Sequence, residues 1–343
     1  MNMITSIMAM LPNFLRDLLS QSDDGPLLEH ARMVELQHPD QARFIRVQCQ
    51  LQQLEAEIEQ ASKQGRDIAL ETGQIYSQLQ EEEKDLLTKH EAEWTAEIRQ
   101  YPAVRNPRFA RGFLDHITLD ASDLDAHRAI EDLPHTAPTL GSVSFYLPPG
   151  AKAPPDLIEH VLRYLANSGV DRLRLEGEGW GDNAIRTLVG SEHVQKLKSL
   201  FLSDCGIGPD GVKAIVQSPQ LNQLETLDLA GNSLSENGFS ALAEFSLALP
   251  ALRHLDLSNT GMLNEEAQSL AGIPGLSQLS VLDIGDNPLS TDGVLAFVQP
   301  GRLPNTRIDF DSEDLPYHVR GTVESRLNQH NGIQDPSASG RKR

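Results

Sequence analysis

Cysteine is almost absent from this chain of 343 residues. The two cysteines, Cys49 and Cys205, are too few for a disulfide framework, and no CxxC pair indicates zinc or redox chemistry. We therefore expect a reducing, cytoplasmic setting and no metal or other cofactor.

Basic residues and long apolar runs are also scarce. The chain has 29 Lys and Arg against 49 Asp and Glu, a formal net charge of −20. Nucleic acids are bound largely through cationic side chains, so a nucleic acid is not the expected partner. No apolar run approaches the roughly 20 residues that cross a bilayer, which excludes a membrane-spanning protein. Residues 1–19 are apolar but lack a basic start and a cleavage site, so we expect a frayed start or a helix rather than a signal peptide.

The front of the chain is helical in pattern. Apolar residues recur every three or four positions over 41–59 and again over 68–98, with Gly65 between the two segments. The spacing predicts two antiparallel helices that pack stripe to stripe, with Cys49 off the stripe, inside an α-helical domain over 1–104. A dimerising coiled coil is the alternative, and the oligomeric state stays open.

Residues 99–111 form the one basic patch, with aromatic residues between four arginines. We expect an interdomain hinge whose arginines pair with the chain's own carboxylates. The alternative is a nucleic-acid contact through Arg105, Arg108 and Arg111.

A repeat dominates residues 105–315. Pairs of apolar residues separated by one position recur in steps of 27, 27, 28, 27 and 26 residues, at Leu173 and Leu175, Leu200 and Leu202, Leu227 and Leu229, Leu255 and Leu257, Leu282 and Ile284, and Ile308 and Phe310. Weaker copies contain Ile117 and Leu119, and Val143 and Phe145. Glycines recur nine residues after the second apolar position, before helical segments. The pattern predicts about eight strands, each followed by a helix, and then a short helix and tail over 316–343.

The alternation of a strand assigns the two faces. Both residues of each apolar pair point into the core, and the residue between them points out to a concave surface. Asn232, Asn287 and Cys205 are expected to bond the turn that follows each strand. Ser235 and Ser290 are expected to cap their helices.

The LxxLxLxxN spacing is typical of leucine-rich repeats, and the repeat length of 27 to 28 resembles the ribonuclease-inhibitor type. The blocks ARFIRVQCQLQQL at 42–54, DLLTKHEAEWTAEI at 85–98 and ARGFLDHITL at 110–119 are similar to the bacterial repeat-companion domain. These resemblances imply an α/β fold, a leucine-rich repeat solenoid preceded by an α-helical domain, in a bacterial intracellular protein that serves as a binding scaffold.

The concave face carries the candidate site. Its strand-centre residues are Arg174 and Phe201, followed by four aspartates that we call the aspartate ladder: Asp228, Asp256, Asp283 and Asp309. Like charges about 4.8 Å apart repel unless they are solvated or covered by a cation or a basic partner. His254 and Arg307 flank the same surface. The ladder is therefore either a site for a basic protein surface or an ordinary solvated face, and both interpretations stay open.

Catalysis has little support in the sequence. GxSxG and HExxH are absent, neither cysteine has a histidine in a nucleophile setting, and Asp286, Asn287 and Asp292 lack the spacing of a calcium loop. We expect a protein-interaction scaffold that is not an enzyme. The alternative is a regulator of a GTPase or other enzyme, acting through Arg174 or Asn232. Trp180 is either an exposed anchor or packed over the repeat edge.

Overall fold

The computed structural model describes residues 23–63, 66, 70–123, 126–154, 156–242, 249–299, 302–310, 315 and 317–330. The expectation for residues 1–19 lies outside this part of the chain. The chain forms two compact units. One consists of Met1–Leu119, Asp125–Ser142 and Asn167–Gly169, and the other of Asp120–Leu124, Val143–Ala166 and Val170–Arg343.

The described residues of the first unit form four helices: α1 (Gly25–Val34), α2 (Pro39–Lys63), α3 (Leu70–Trp94) and α4 (Ala126–Thr136). The two long helices α2 and α3 pack against each other, as their apolar spacing predicts. Val47 and Leu51 of α2 are buried against Leu79 of α3, with Leu54, Tyr76 and Leu86 partly buried around them.

A second face of α2 is buried as well, which the stripe analysis did not predict. Cys49 is 1% exposed and packs in a cluster with Leu27, Ala31, Ala42, Ile45 and Phe113. The cluster forms because α1, a helix absent from the sequence prediction, covers this face of α2. Burial, with the nearby Asp24 carboxylate adding to it, raises the pKa of the Cys49 thiol to about 11. The thiol is therefore protonated at neutral pH.

The expected hinge contains a strand instead. β1 (Val104–Ala110) pairs antiparallel with β2 (Phe113–Asp120), with register shifts around Arg108. Arg111 forms an ion pair of 2.7 Å with Asp24, and both side chains are nearly buried. The pairing with the chain's own carboxylates was therefore predicted correctly for this arginine, while the hinge was wrong. Pro107 and two exposed arginines hid the strand, because they break the apolar alternation that identifies one.

The second unit contains the repeating part of the chain. Its strands are β3 (Ser142–Tyr146), β4 (Arg172–Glu176), β5 (Ser199–Phe201), β6 (Thr226–Asp228), β7 (His254–Asp256), β8 (Val281–Asp283) and β9 (Arg307–Asp309). Its helices are α5 (Leu157–Asn167), α6 (Gly181–Val189), α7 (Pro209–Val216), α8 (Ser235–Leu242), α9 (Asn264–Ala271), α10 (Thr291–Phe297) and α11 (Tyr317–His330). The described residues thus hold nine strands, eight where the apolar pairs predict them and β1 in addition. None of the helices in the described part of the chain combines the length and the apolarity that crossing a membrane requires.

Strands β4 to β9 are parallel and in exact register, and each pairs with the next one along the chain. Helices α6, α7, α8, α9 and α10 pack in the same succession. The first apolar residue of each pair in these strands is at most 2% exposed: Leu173, Leu200, Leu227, Leu255, Leu282 and Ile308. Each strand and helix therefore buries its apolar side against the neighbouring repeat, as stacked repeats require.

The turns after β6 and β8 are each held by a buried asparagine. The Asn287 amide oxygen accepts hydrogen bonds from the backbone N–H groups of Thr260 and Met262, and its nitrogen donates to the carbonyls of Leu257, Ile284 and Gly285. Asn232 makes the equivalent set of bonds two repeats earlier. The predicted turn role of both asparagines is confirmed, because each satisfies backbone groups that the bend takes out of the strand ladder.

Glycine is required where successive turns approach closely. Gly206 has a φ of +68°, and a Cβ placed on it would lie 2.4 Å from the backbone oxygen of Glu178 in the preceding repeat. Gly261 occupies the same place two repeats later with a φ of +75°, but a Cβ there would meet nothing within 4 Å. The two glycines share a backbone conformation and differ in the space around them.

Helix α11 covers the last repeat. It contacts α10 and β9, and its Val323 and Leu327 are buried. The predicted short helix at this place is therefore confirmed, and it is longer than expected. The predicted side-chain caps are not found: Ser290 stands at the N-cap of α10 without a side-chain cap bond, and Ser235 is the first residue of α8. Asn264 of the preceding helix instead accepts a hydrogen bond from the Ser290 N–H, 2.9 Å away.

Candidate functional site

The candidate site is the row of outward side chains between the apolar pairs of the second unit, which stand at the centre of β4 and at the last residue of each strand from β5 to β9. The register aligns Arg174 with Phe201, Phe201 with Asp228, and each aspartate of the ladder with the next. All six side chains are half-buried. The structure thus brings together the six residues that the sequence selected.

His254 and Arg307 belong to a parallel row one step outside the ladder. The register aligns Thr226, His254, Val281 and Arg307, and both His254 and Arg307 are exposed. They flank the ladder as predicted. Arg307 already pairs with the ladder: its Nε donates to Asp309 Oδ1 at 2.8 Å and offsets the charge at that end. The sequence did not reveal this ion pair.

Most of the aspartates use one carboxylate oxygen in the fold. Oδ1 of Asp228, Asp256 and Asp283 accepts a hydrogen bond of 2.8 to 2.9 Å from the backbone N–H two residues later. Such a bond stabilises the turn at the end of the strand. The aspartates therefore have a structural role that is independent of any partner.

Partners at the two end residues divide the ladder into closed ends and an open centre. At one end Ser203 Oγ donates to Asp228 Oδ2 at 2.6 Å, and at the other Arg307 pairs with Asp309. Asp256 also accepts from Ser258 Oγ, through Oδ1. Oδ2 of Asp256, Asp283 and Asp309 accepts no hydrogen bond from any described residue, but only Asp309 has the charge of Arg307 beside it. The centre of the ladder therefore presents two neighbouring carboxylate oxygens to the solvent side of the sheet.

The electrostatics of the centre are unfavourable for Asp283. Burial raises the pKa of its carboxyl above the ordinary value, the negative charges of Asp256, Asp309 and Asp286 raise it further, and the bond from the Gly285 N–H opposes both effects. Since a raised pKa means that the ionised form is destabilised, a cation placed here would relieve a penalty already present in the fold.

Arg174 and Phe201 form the other end of the row. The guanidinium carbon lies 4.2 Å from the centroid of the Phe201 ring, a cation–π stack. Its Nε lies 3.9 Å from Glu176 Oε1. The row is thus cationic and aromatic on β4 and β5 and anionic from β6 to β9.

Comparison with protein-family models identifies the repeats. A model described as Leucine Rich repeat matches residues 193–216, and one described as Leucine Rich Repeat matches residues 223–245. Residues 193–245 therefore contain leucine-rich repeats. The matched segments include β5 with α7 and β6 with α8. No curated protein matches the chain.

Several residues whose interpretation was open have structural roles in or beside these repeats. Asn232, one of the two residues considered for a GTPase regulator, is 1% exposed and fully used in its turn, so it does not reach a nucleotide in this conformation. Trp180 is 4% exposed and donates its ring N–H to the Glu176 carbonyl, which places it over the repeat edge. The Cys205 thiol is buried and donates to the Leu175 carbonyl, and burial strongly raises its pKa.

Proposed function

We propose that this protein is a non-enzymatic interaction scaffold whose acidic concave face binds a basic surface of another protein. Leucine-rich repeats are commonly protein-interaction modules. Their stacked strands create an extended surface that holds side chains at fixed spacing. The observation that carries the proposal is the open centre of the ladder, where Asp256 and Asp283 align on adjacent strands with one unbonded oxygen each.

The spacing of the two carboxylates suits an arginine side chain. Parallel strands lie about 4.8 Å apart, and a guanidinium presents several N–H donors in one plane. One guanidinium can therefore donate to both carboxylates. Such charge-assisted hydrogen bonds are roughly twice as strong as neutral ones.

The charge around the ladder favours the same partner. Residues 220–315 contain 14 acidic residues and three arginines and no lysine. Complementary charge accelerates association and excludes wrong partners. A nucleic acid requires a cationic surface, whereas this face is acidic. The partner we propose is therefore a protein, bound without a cofactor.

The setting follows from the cysteines and the repeats. Both cysteines are free and buried, which is compatible with a reducing cytoplasm. The repeat length of 27 to 28 residues supports repeats of the ribonuclease-inhibitor type. The resemblance of the front of the chain to the repeat-companion domain supports a bacterial origin. Catalytic activity is not part of the proposal.

The test uses a defined basic probe, a rhodamine-labelled peptide with the sequence Gly-Ser-Gly-Ser-Gly-Arg-Arg-amide. Binding is followed by fluorescence anisotropy at low salt, with the parent and with a double variant, Asp256→Asn and Asp283→Asn. Asparagine keeps the Oδ1 acceptor of the turn and removes the charge. We expect the double variant to bind about five- to tenfold more weakly.

A matched control removes two charges elsewhere in the same unit. Glu225→Gln and Glu236→Gln change exposed carboxylates outside the ladder and alter the net charge equally. This control should change binding by less than about twofold. Equal losses in the two double variants would mean that the probe senses only the net charge, and the proposed site would be wrong.

A further inference from the structure

The charge of the concave face changes sign along the order of the strands. In the outward row β4 presents Arg174 and β5 presents Phe201, and the next four strands present carboxylates. Ser203 and Arg307 close the two ends of the ladder, so the remaining charged groups of the outward row are separated. One lies on β4, and the others lie on β7 and β8.

The charged group of the outward row on β4 is the guanidinium of Arg174. The guanidinium carbon lies over the Phe201 ring, 4.2 Å from its centroid, and Glu176 Oε1 lies 3.9 Å from the Nε. Within the described part of the chain, no atom accepts a hydrogen bond from Arg174. A guanidinium placed in this way is prepared for a planar acceptor, and a carboxylate matches its donors geometrically.

We propose that the concave face binds an extended segment of its partner in one orientation, with an acidic side chain on Arg174 and a basic side chain over Asp256 and Asp283. This inference rests on the proposed function and adds a second contact of opposite charge. It also names the partner more closely, as an exposed polypeptide segment with an acidic residue at a set distance from its basic residues.

The strand spacing gives that distance. Arg174 is three strands from Asp256 and four from Asp283, which is about 14 to 19 Å at 4.8 Å a strand. An extended peptide advances about 3.3 Å per residue. The acidic and basic residues of the partner segment should therefore stand about four to six positions apart.

Two labelled peptides of identical composition test the spacing. The spaced peptide is Glu-Gly-Ser-Gly-Ser-Arg-Arg-amide, and the compact peptide is Gly-Ser-Gly-Ser-Glu-Arg-Arg-amide. We expect the spaced peptide to bind the parent about two- to fivefold more tightly, since an exposed ion pair contributes a modest affinity. Arg174→Gln should abolish that preference, while Arg186→Gln, which removes an exposed arginine from α6, should retain it.

Charge reversal provides the second measurement. Arg174→Glu should bind a spaced peptide with Lys in place of Glu more tightly than the spaced Glu peptide. Thermal unfolding of each variant confirms that the fold persists. Equal binding of the spaced and compact peptides to the parent, or a preference that survives Arg174→Gln, would overturn the inference. Failure of the proposed function gives a different result: the Arg-Arg probe would then bind the Asp256→Asn and Asp283→Asn double variant as tightly as the parent.

Discussion

Neutralising Asp283 should stabilise this protein at neutral pH. Asp283→Asn keeps the acceptor for the Gly285 N–H and removes a charge that stands between Asp256 and Asp309. Two unit charges about 5 Å apart repel by roughly 0.8 kcal/mol in water, and salt and solvent exposure reduce this value. Arg307 already offsets part of the Asp309 charge. The expected gain in the free energy of unfolding is therefore about 0.5 to 1 kcal/mol at pH 7.

The gain should depend on pH in a defined direction. Burial and the neighbouring acids raise the folded-state pKa of Asp283 above its unfolded value. The parent then regains stability as the pH falls through that folded pKa, because the carboxyl is protonated more readily in the folded state. The parent and the variant should converge as the pH falls below about 3.9, the ordinary pKa of Asp, because Asp283 then becomes mostly protonated in the unfolded state as well.

Urea unfolding followed by circular dichroism at pH 7 and pH 3.5 measures both effects. Glu225→Gln, an exposed carboxylate outside the ladder, is the control for the change in net charge and should shift the midpoint little. A destabilised Asp283→Asn variant at pH 7 would refute the repulsion argument. A gain that is the same at both pH values would refute the attribution to ionisation.

Three further predictions concern the repeats. Asn287→Ala should lower the free energy of unfolding by about 3 to 5 kcal/mol because it leaves several buried backbone groups unbonded. The control Asn222→Ala, at an exposed position, should lower it by less than about 0.5 kcal/mol. Similar urea midpoints for the two variants would contradict a stabilising role of Asn287 in the turn. Gly206→Ala should destabilise the protein by about 1 to 3 kcal/mol more than Gly261→Ala, since only the Cβ at position 206 meets a backbone oxygen. Equal melting temperatures would show that the turn at Gly206 relaxes to accept the Cβ. Val323→Asp should expose the last repeat and lower the melting temperature, and it should speed amide exchange in β9 most; unchanged exchange there would argue against a capping role for α11.

The repeat was predictable because the same positions of every copy must be apolar to fill the core. Leu227, Leu255 and Leu282 each fill the core at the same point of a strand, so the period of the apolar pairs revealed the strand positions and the row of aspartates between them. The asparagine turns were predictable for the same reason, since the bend exposes the same backbone groups in each repeat.

Other features depend on contacts that leave no periodic trace. Strand β1 contains Pro107 and charged residues, and its partner β2 supplies the pairing that makes it a strand. Cys49 is buried because α1 covers it, and no spacing within α2 indicates that helix. The closed ends of the ladder could not be foreseen either, because the Ser203 and Arg307 contacts depend on rotamers.

The central claim is that a basic ligand occupies the open centre of the ladder, and carboxyl footprinting measures this directly. The protein is labelled with a carbodiimide and glycine ethyl ester, with and without the Arg-Arg peptide, and modification is read by mass spectrometry. We predict that the peptide slows modification of Asp256 and Asp283 and leaves Glu225 and Glu236 unaffected. Protection that is uniform over all four carboxylates, or absent from the two aspartates while the peptide is bound, would contradict the account.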